Sequence, residues 1–317
     1  MAWEILAVVG QIALALWAAW HILLHKREPQ SAVLWLVIVT FLPLFGALGY
    51  LFFGIDRLGR RATIKELRNR GLRDELPVLL PKSGPFRELP RESEPFPAAL
   101  DAFAVTLANL ARHRAVGGNA VEAMRGAEFF ERALEAIEAA ESTVLLQSYI
   151  FIADSVGTRF LQALAAAARR GVRCHLLFDQ VGSWQLDPTE LEVAEGEGVE
   201  IAAFGQRSLL RGRFQIHLRN HRKVLVVDGR RAFVGGTNIT DDHADLSGQG
   251  ARVDDWHFEI RGPVIPQLTA SFAEDWFEAS GAKLVEERYY PEPEVAGDTV
   301  CRTLPSGPDG DHGLVHR

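Results

Sequence analysis

Cysteine is scarce in this chain: two in 317 residues, Cys174 and Cys301, far apart and in no paired spacing. That excludes a disulfide framework and suits a reducing compartment. Cys174 alternates with Val172, Leu176 and Phe178 in a strand-like run, so it reads as a core residue. A strong excess of either charge is also missing. Thirty-four basic side chains face 41 acidic ones, a formal net charge of −7, which argues against a general nucleic-acid coat. The first apolar run has no basic residues before it and no clear small-residue cleavage site, so a removable signal peptide is a poor description of it. The most consequential scarcity concerns one motif, which occurs once where its chemistry normally needs two.

Long hydrophobic runs are what the chain does have. Residues 3–24 are apolar except for Glu4, Gln11 and His21. Residues 31–53 are apolar apart from Ser31 and Thr40, and include Pro43, Gly46 and Gly49. Each has the length of a membrane-crossing helix, roughly 20 residues. Two transmembrane helices are therefore expected, at about 3–24 and 31–53. The turn His25–Gln30 carries two basic residues, whereas Arg57, Arg60, Arg61, Lys65, Arg68, Arg70 and Arg73 follow the second run. The more basic flank stays in the cytoplasm and is drawn to anionic headgroups. This predicts a multi-pass membrane protein with its remaining domain cytoplasmic.

The motif is His221-Arg-Lys223-Val-Leu-Val-Val-Asp228, followed by Gly235-Gly236-Thr-Asn238: H-x-K-x4-D-x6-G-G-x-N. Val224 to Val227 reads as a strand, Asp228-Gly229 as a hairpin turn, and Ala232 to Val234 as the returning strand. His221 and Lys223 stand two apart, so on a strand both side chains leave the same face. Lys supplies charge and donors to a phosphate oxygen, while an imidazole near neutrality can attack phosphorus or move a proton. Gly235-Gly236 would let backbone N–H groups approach a phosphate, and Asn238 could orient an oxygen. Asp228 could be only a turn residue. Arg207, Arg211, Arg213, Arg219, Arg222, Arg230 and Arg231 cluster around the motif as an anion funnel; a solvated strand edge would also explain Arg230 and Arg231.

The motif resembles the HKD signature of the phospholipase D superfamily. The wider pattern is similar to bacterial cardiolipin synthases of the two-helix, membrane-anchored type. It comprises Arg219-Asn220-His221-Arg222-Lys223, Gly235-Gly236-Thr237-Asn238-Ile239, Asp255-Trp256-His257, Gly262-Pro263 and Phe272-Ala-Glu-Asp275-Trp276. Upstream, Gln147-Ser-Tyr149-Ile-Phe151 and Phe178-Asp179-Gln-Val-Gly182-Ser183 fit the same group. The resemblance implies an α/β, phospholipase D-like layered domain, a central mixed sheet flanked by helices. It implies His221 as nucleophile, Lys223 as phosphate clamp, Asn238 with Gly235 and Gly236 as oxygen holders, and Asp228 steadying a catalytic site. Asp255 and His257 would line the cleft, and Gln147 and Asp179 are weaker supporting candidates. The reaction implied converts two molecules of phosphatidylglycerol to cardiolipin and glycerol through a phosphohistidine. No cofactor or metal is required. The cluster Asp241-Asp242-His243 with Asp245 lacks convincing ligand geometry and reads as a polar loop.

Four segments are expected: a transmembrane hairpin at 1–56, a basic, proline-rich linker at 57–117 with a short helix near Thr63 to Arg70, a first catalytic half at 118–284, and a linker at 285–317. Within the catalytic half, the periodicity predicts helices at Glu128–Ala140, Thr158–Arg170 and Pro263–Ala279. Strands are predicted at Thr143–Phe151, Val172–Asp179, Val199–Phe204 and Trp256–Ile260. Ser306-Gly-Pro-Asp309 resembles the opening of a second catalytic half. No second H-x-K-x4-D occurs, and His312 and His316 lack the accompanying Lys and Asp. One imidazole cannot be nucleophile and acid in a single step. Three readings follow: the first part of a two-motif synthase, a half-enzyme pairing with a second copy, or a membrane-tethered phosphate-binding half without turnover. In the first two, the partner is a second HKD half in cis or by homodimerisation, and hydrolysis is a variant. No nucleic-acid partner is expected.

Overall fold

The structure is a computed structural model describing residues 2–26, 29–54, 72, 75–76, 113, 115–205, 220–244 and 252–304. Several expectations lie outside the described residues: the linker helix near Thr63, Arg207, Arg211, Arg213, Arg219, Asp245, Ser306–Asp309 and the two C-terminal histidines. The chain divides into two units, Met1–Ile64 and Lys65–Arg317.

In the first unit, helix α1 (Ala2–His25) is one unbroken apolar helix of 24 residues, and among the described residues it alone is long and apolar enough to cross a membrane. The second apolar run departs from the expected single span. It forms α2 (Pro29–Phe41), α3 (Pro43–Gly49) and a π-helical turn, Tyr50–Gly54. The break is at Leu42, whose backbone (φ −129°, ψ 69°) is not helical. Pro43 is the cause: its ring disfavours helical geometry in the residue before it and clashes with the preceding turn.

In the second unit the elements run β1 (Val116–Arg125), α4 (Gly126–Glu138), β2 (Thr143–Ser148), α5 (Ser155–Arg169), β3 (Arg173–Asp179), α6 (Pro188–Gly196), β4 (Glu200–Phe204), β5 (Val224–Val227), β6 (Arg231–Gly235), β7 (Trp256–Arg261), α7 (Ile265–Ser280) and β8 (Thr299–Cys301). One eight-stranded mixed sheet results, in the order β4-β3-β2-β5-β6-β7-β1-β8. Strands β2, β3 and β4 are parallel; the rest pair antiparallel. Sequence periodicity misses β1, α6 and β8. The last strand comes from beyond residue 284, a stretch expected to lead away from the domain; it pairs with β1, and Tyr289 and Tyr290 are buried.

The alternation of each strand assigns its side chains to two cores. On one face, Val144, Leu146, Cys174, Leu176, Phe178, Leu225, Val227 and Phe233 pack with α4 and α5. Helix α4 presents Phe129, Phe130, Ala133, Leu134 and Ile137 there, a 3.6-residue stripe. Cys174 is 1% exposed, and burial pushes its thiol up to about 12. On the other face, Leu145, Leu177, Val226, Ala232 and Ile260 meet Ile265, Leu268, Phe272 and Trp276 of α7. That helix stops at Gly281, whose left-handed backbone (φ 80°) suits a residue without Cβ.

The topology brings loops together at one end of the sheet. Because β5 runs antiparallel to β2, residues preceding β5 lie beside those following β2, with Gln147 opposite Val224. The end of β6 and the start of β7 meet there too, with Gly235 opposite His257.

Candidate active site

The signature residues His221, Arg222 and Lys223 precede β5, which begins only at Val224. Strand pleating therefore does not set the direction of His221 and Lys223, contrary to the expectation. An aromatic ring does so instead. The imidazole of His221 stacks on Tyr149, with centroids 3.9 Å apart and planes 17° apart, and the Lys223 ammonium lies 5.3 Å from the same ring centroid. Lys223 Nζ also donates to the His221 carbonyl at 2.9 Å. Burial lowers the pKa of Lys223, and the charge of Asp255 opposes that shift.

Two buried carboxylates fasten this segment. Asp179, at the end of β3, accepts from the Asn220 backbone N–H at 3.1 Å, and its other oxygen accepts from Val181 and Gly182. Asp275 of α7 gathers three donors on Oδ2: Gln147 Nε2 at 2.9 Å, Asn220 Nδ2 at 2.8 Å and Arg222 Nη1 at 2.7 Å. Gln147 and Asp179 thus both support the approach to β5. Asp275 and Tyr149 are residues that sequence reasoning passed over as site members, although both fall inside the resembling segments.

Asn238 is joined to the same loop as Tyr149. Its Oδ1 accepts from the Ile150 N–H at 3.1 Å, and the backbones of Ile150, Ile152 and Ile239 exchange hydrogen bonds at 3.1 Å. That bond fixes the amide orientation, so Nδ2 faces His243 Nε2 at 3.2 Å. His243 must accept there, which leaves its proton on Nδ1, a buried nitrogen. Burial lowers the pKa of His243, as does Lys223, while Asp255 and Asp242 oppose. The polar cluster around His243 acts locally, because the Asp241 carboxylate accepts from the N–H groups of Ser155 and Val156 at the start of α5.

The glycines make room for Asp255 and for the first residues of β7. A Cβ on Gly236 would fall 2.2 Å from Asp255 Oδ2, and one on Gly235 would fall 2.3 Å from the Trp256 carbonyl and 2.7 Å from His257 Nδ1. The Gly236 N–H already donates to Trp256 O at 2.9 Å. Asp255 is partly exposed. His257 is not cleft-lining as expected: it is 1% exposed and stacked on Phe129, with centroids 3.8 Å apart. Burial, then the charges of Lys223 and His243, hold its pKa at about 3.

Asp228 is remote from these groups. The four residues of β5 intervene, placing it about 16 Å from Lys223 along the strand at ~3.3 Å per residue. Its carboxylate accepts from the N–H groups of Glu141, Ser142 and Thr143 at 3.0, 2.7 and 2.8 Å. Its positive φ of 52°, beside Gly229 at 61°, makes the tight hairpin turn. It clamps the hairpin to β2, so Asp228, expected to steady the site without reacting, stands at the opposite end of β5 from His221 and Lys223. Arg230 and Arg231 share that far end, paired with Glu294 and Glu259, so they are not part of a funnel at His221.

A hairpin carrying H-x-K-x4-D in the middle of a mixed α/β sheet, with a G-G-x-N turn beside it, marks a phospholipase D-like domain. Residues 133–276 match the family described as "Cardiolipin synthase, PLD-like domain", and residues 13–54 match "Phospholipase_D-nuclease N-terminal". Residues 133–276 are therefore similar to the PLD-like domain of cardiolipin synthases. It is 34% identical over 295 residues to cardiolipin synthase A of Pseudomonas entomophila (strain L48), covering 92% of this chain and 60% of that protein. It is 35% identical over 299 residues, with the same coverage, to cardiolipin synthase A of Pseudomonas syringae pv. syringae (strain B728a). The chain thus spans about 60% of the length of these curated relatives. Among solved structures, phosphatidylserine synthase of Haemophilus influenzae Rd KW20 aligns with a TM-score of 0.44 and 13% identity, over 59% of this chain and 45% of that one.

Proposed function

We propose that this chain supplies one HKD half of a membrane-bound phosphatidyltransferase of cardiolipin synthase type, acting on phosphatidylglycerol. The observation that carries the reading is the loop after β2. Tyr149 gathers His221 and Lys223, and the adjacent Ile150 holds Asn238, which supports bringing nucleophile, cation and amide together at one end of the sheet. A ring nitrogen of His221 attacks phosphorus and the P–O bond to glycerol breaks. The glycerol oxygen takes a proton from the imidazole of a second HKD half. A glycerol hydroxyl of another phosphatidylglycerol then attacks the phosphorus, the P–N bond to His221 breaks, and the hydroxyl proton returns to that second imidazole. Lys223 and Asn238 offset charge growing on the phosphoryl oxygens. Asp255 bears on the electrostatics of Lys223, and Gly235 and Gly236 keep the turn narrow enough to hold Asn238 there.

The second half comes from a second copy or from further chain of the kind the longer relatives possess. The basic stretch from Arg57 to Arg73 supports a cytoplasmic position for the site-bearing unit at a bacterial inner membrane. The test is lipid product analysis with the full chain in phosphatidylglycerol micelles. Cardiolipin and glycerol are expected when a second motif is present, by pairing or by supplementation, and His221→Ala should abolish both the product and any trapped phosphoenzyme. Phosphatidic acid as the sole product would replace transfer with hydrolysis. An undiminished phosphoenzyme in His221→Ala would remove this residue from the nucleophile role.

A further inference from the structure

The second apolar segment turns back on itself. Gly46 of α3 packs so closely on α2 that a Cβ would lie 2.5 Å from the Ile38 carbonyl oxygen and 2.9 Å from Val39 Cα. Three residues later, a Cβ on Gly49 would lie 3.7 Å from the Trp35 ring. Position 46 thus meets 38 and position 49 meets 35, so α3 runs antiparallel to α2. Tyr50 continues the return: its ring meets Trp35 edge-on at 5.5 Å, and its hydroxyl lies 2.8 Å from His21 Nδ1. His21 is one turn from the end of α1 at His25, the same end from which α2 sets out.

Length decides what this hairpin can do in a bilayer. The 13 residues of α2 extend about 20 Å, whereas the hydrocarbon core is ~30 Å thick. The tip therefore stops short of the opposite interface. Side chains at the tip are apolar and turned outward, with Phe41 79% and Phe45 75% exposed. The inner side is packed: Ala18 and Ile22 of α1, Val39 of α2, and Ala47 and Tyr50 form one cluster. Reversal at depth usually strands backbone donors. Here Pro43 has none, Leu42 N–H bonds to Ile38 O, and Gly46 N–H bonds to Leu42 O.

Charge agrees independently. If the second segment crossed the membrane, Lys26 and Arg27 would face the side opposite Arg57, Arg60 and Arg61. With a re-entrant segment all five share one side, as cytoplasmic Lys and Arg do. Residues 3–24 contain neither Lys nor Arg.

We propose that α1 is the membrane crossing and that residues 29–54 form a re-entrant wedge whose partner is the acyl-chain region entered from the cytoplasmic leaflet. The start of α1 then lies on the outer side, and the chain on both flanks of the wedge lies in the cytoplasm. This is a matter of topology and stands whether or not the chain transfers phosphatidyl groups. Single cysteines placed at Trp3, Gln30, Phe41 or Leu58 of the full chain in native membranes test it, with an impermeant maleimide applied to right-side-out and inside-out vesicles. The unsubstituted chain corrects for Cys174 and Cys301. Gln30→Cys and Leu58→Cys should label only in inside-out vesicles, Trp3→Cys only in right-side-out ones, and Phe41→Cys at least tenfold more slowly than Gln30→Cys in either. Labelling of positions 30 and 58 from opposite faces, or of position 41 as fast as position 30, overturns the wedge.

Discussion

The imidazole of His221 lies flat on the ring of Tyr149, 3.9 Å away between centroids. His221 is itself exposed and ahead of its strand, so this contact, with the bond from Lys223 to the His221 carbonyl, orients the proposed nucleophile where the sheet does not. Gly182 allows the arrangement, because a Cβ there would fall 2.2 Å from the Tyr149 carbonyl and 3.0 Å from its ring. Replacing Tyr149 by Leu should lower kcat roughly 10- to 100-fold, the scale of a misplaced reacting group, with a smaller effect on KM. Tyr149→Phe keeps the aromatic face and should retain most activity. Steady-state rates for the two variants decide this; equal losses in both would assign the effect to the hydroxyl and dismiss the stack.

Asp275 connects α7 to the signature from 53 residues away in sequence. Its Oδ2 serves Gln147, Asn220 and Arg222 together, so Asp275→Ala leaves a guanidinium and two amides without their acceptor. Breaking one side of such a buried pair costs on the order of 3 kcal/mol. Thermal unfolding should show a clear destabilisation, and the pH–rate profile of the remaining folded enzyme should shift as Arg222 is released beside His221. Asp275→Asn, which keeps an acceptor oxygen, should sit between wild type and Ala. A profile that does not move in either variant would reduce Asp275 to a packing role.

Asp228 belongs to the signature yet serves architecture. Its three accepted backbone hydrogen bonds, at about 1 kcal/mol each, place the cost of Asp228→Ala near 2–3 kcal/mol. Asn also tolerates the positive φ, so Asp228→Asn should cost less. Both variants should lower the unfolding midpoint while leaving kcat and KM of the folded fraction within a few-fold of wild type. A thousand-fold fall in kcat with an unchanged midpoint would return Asp228 to the chemistry.

What could be read from the chain depended on how local each cause is. Residues Val224 to Gly235 declare their hairpin through a β-branched run, a two-residue turn and a returning strand, and the structure has it there. The helices at 128–140 and 158–170 were visible because an apolar stripe repeats every three to four residues. By contrast, β1 and β8 are ordered by each other and by β7, across more than a hundred residues, and Gly-Gly-Asn within β1 gives no strand signal. The role of Asp275 depends on tertiary placement, and that of Tyr149 on a loop outside the named strands. Pro43 and Gly46 were in plain view, but length and hydropathy alone treat 31–53 as continuous; contacts such as those of Gly46 with Ile38 and of Tyr50 with Trp35 reveal the reversal.

Two buried imidazoles make stability depend on pH. Burial holds His257 at about 3, with Lys223 and His243 adding to the shift, and burial with Arg173 holds His175 at about 4. Both are therefore neutral in the folded chain, while in the unfolded chain each takes up a proton near its ordinary value of about 6.5. Between those values the unfolded state binds more protons, so acidification favours unfolding. The stabilisation is complete above about pH 6.5 and is lost as pH falls toward the folded values, by up to ~1.4 kcal/mol per pH unit for each imidazole. Lowering the pH from about 7.5 to about 5.5 spans roughly one unit of that window, before most carboxylates titrate, and should cost roughly 2–3 kcal/mol. Denaturant titration in detergent at the two values measures it. His175 also donates to or accepts from Tyr289 at 2.9 Å, so His175→Gln, which can keep a hydrogen bond but cannot titrate, should halve the pH dependence. A stability that is flat across that range would mean that these imidazoles already accept protons in the folded state.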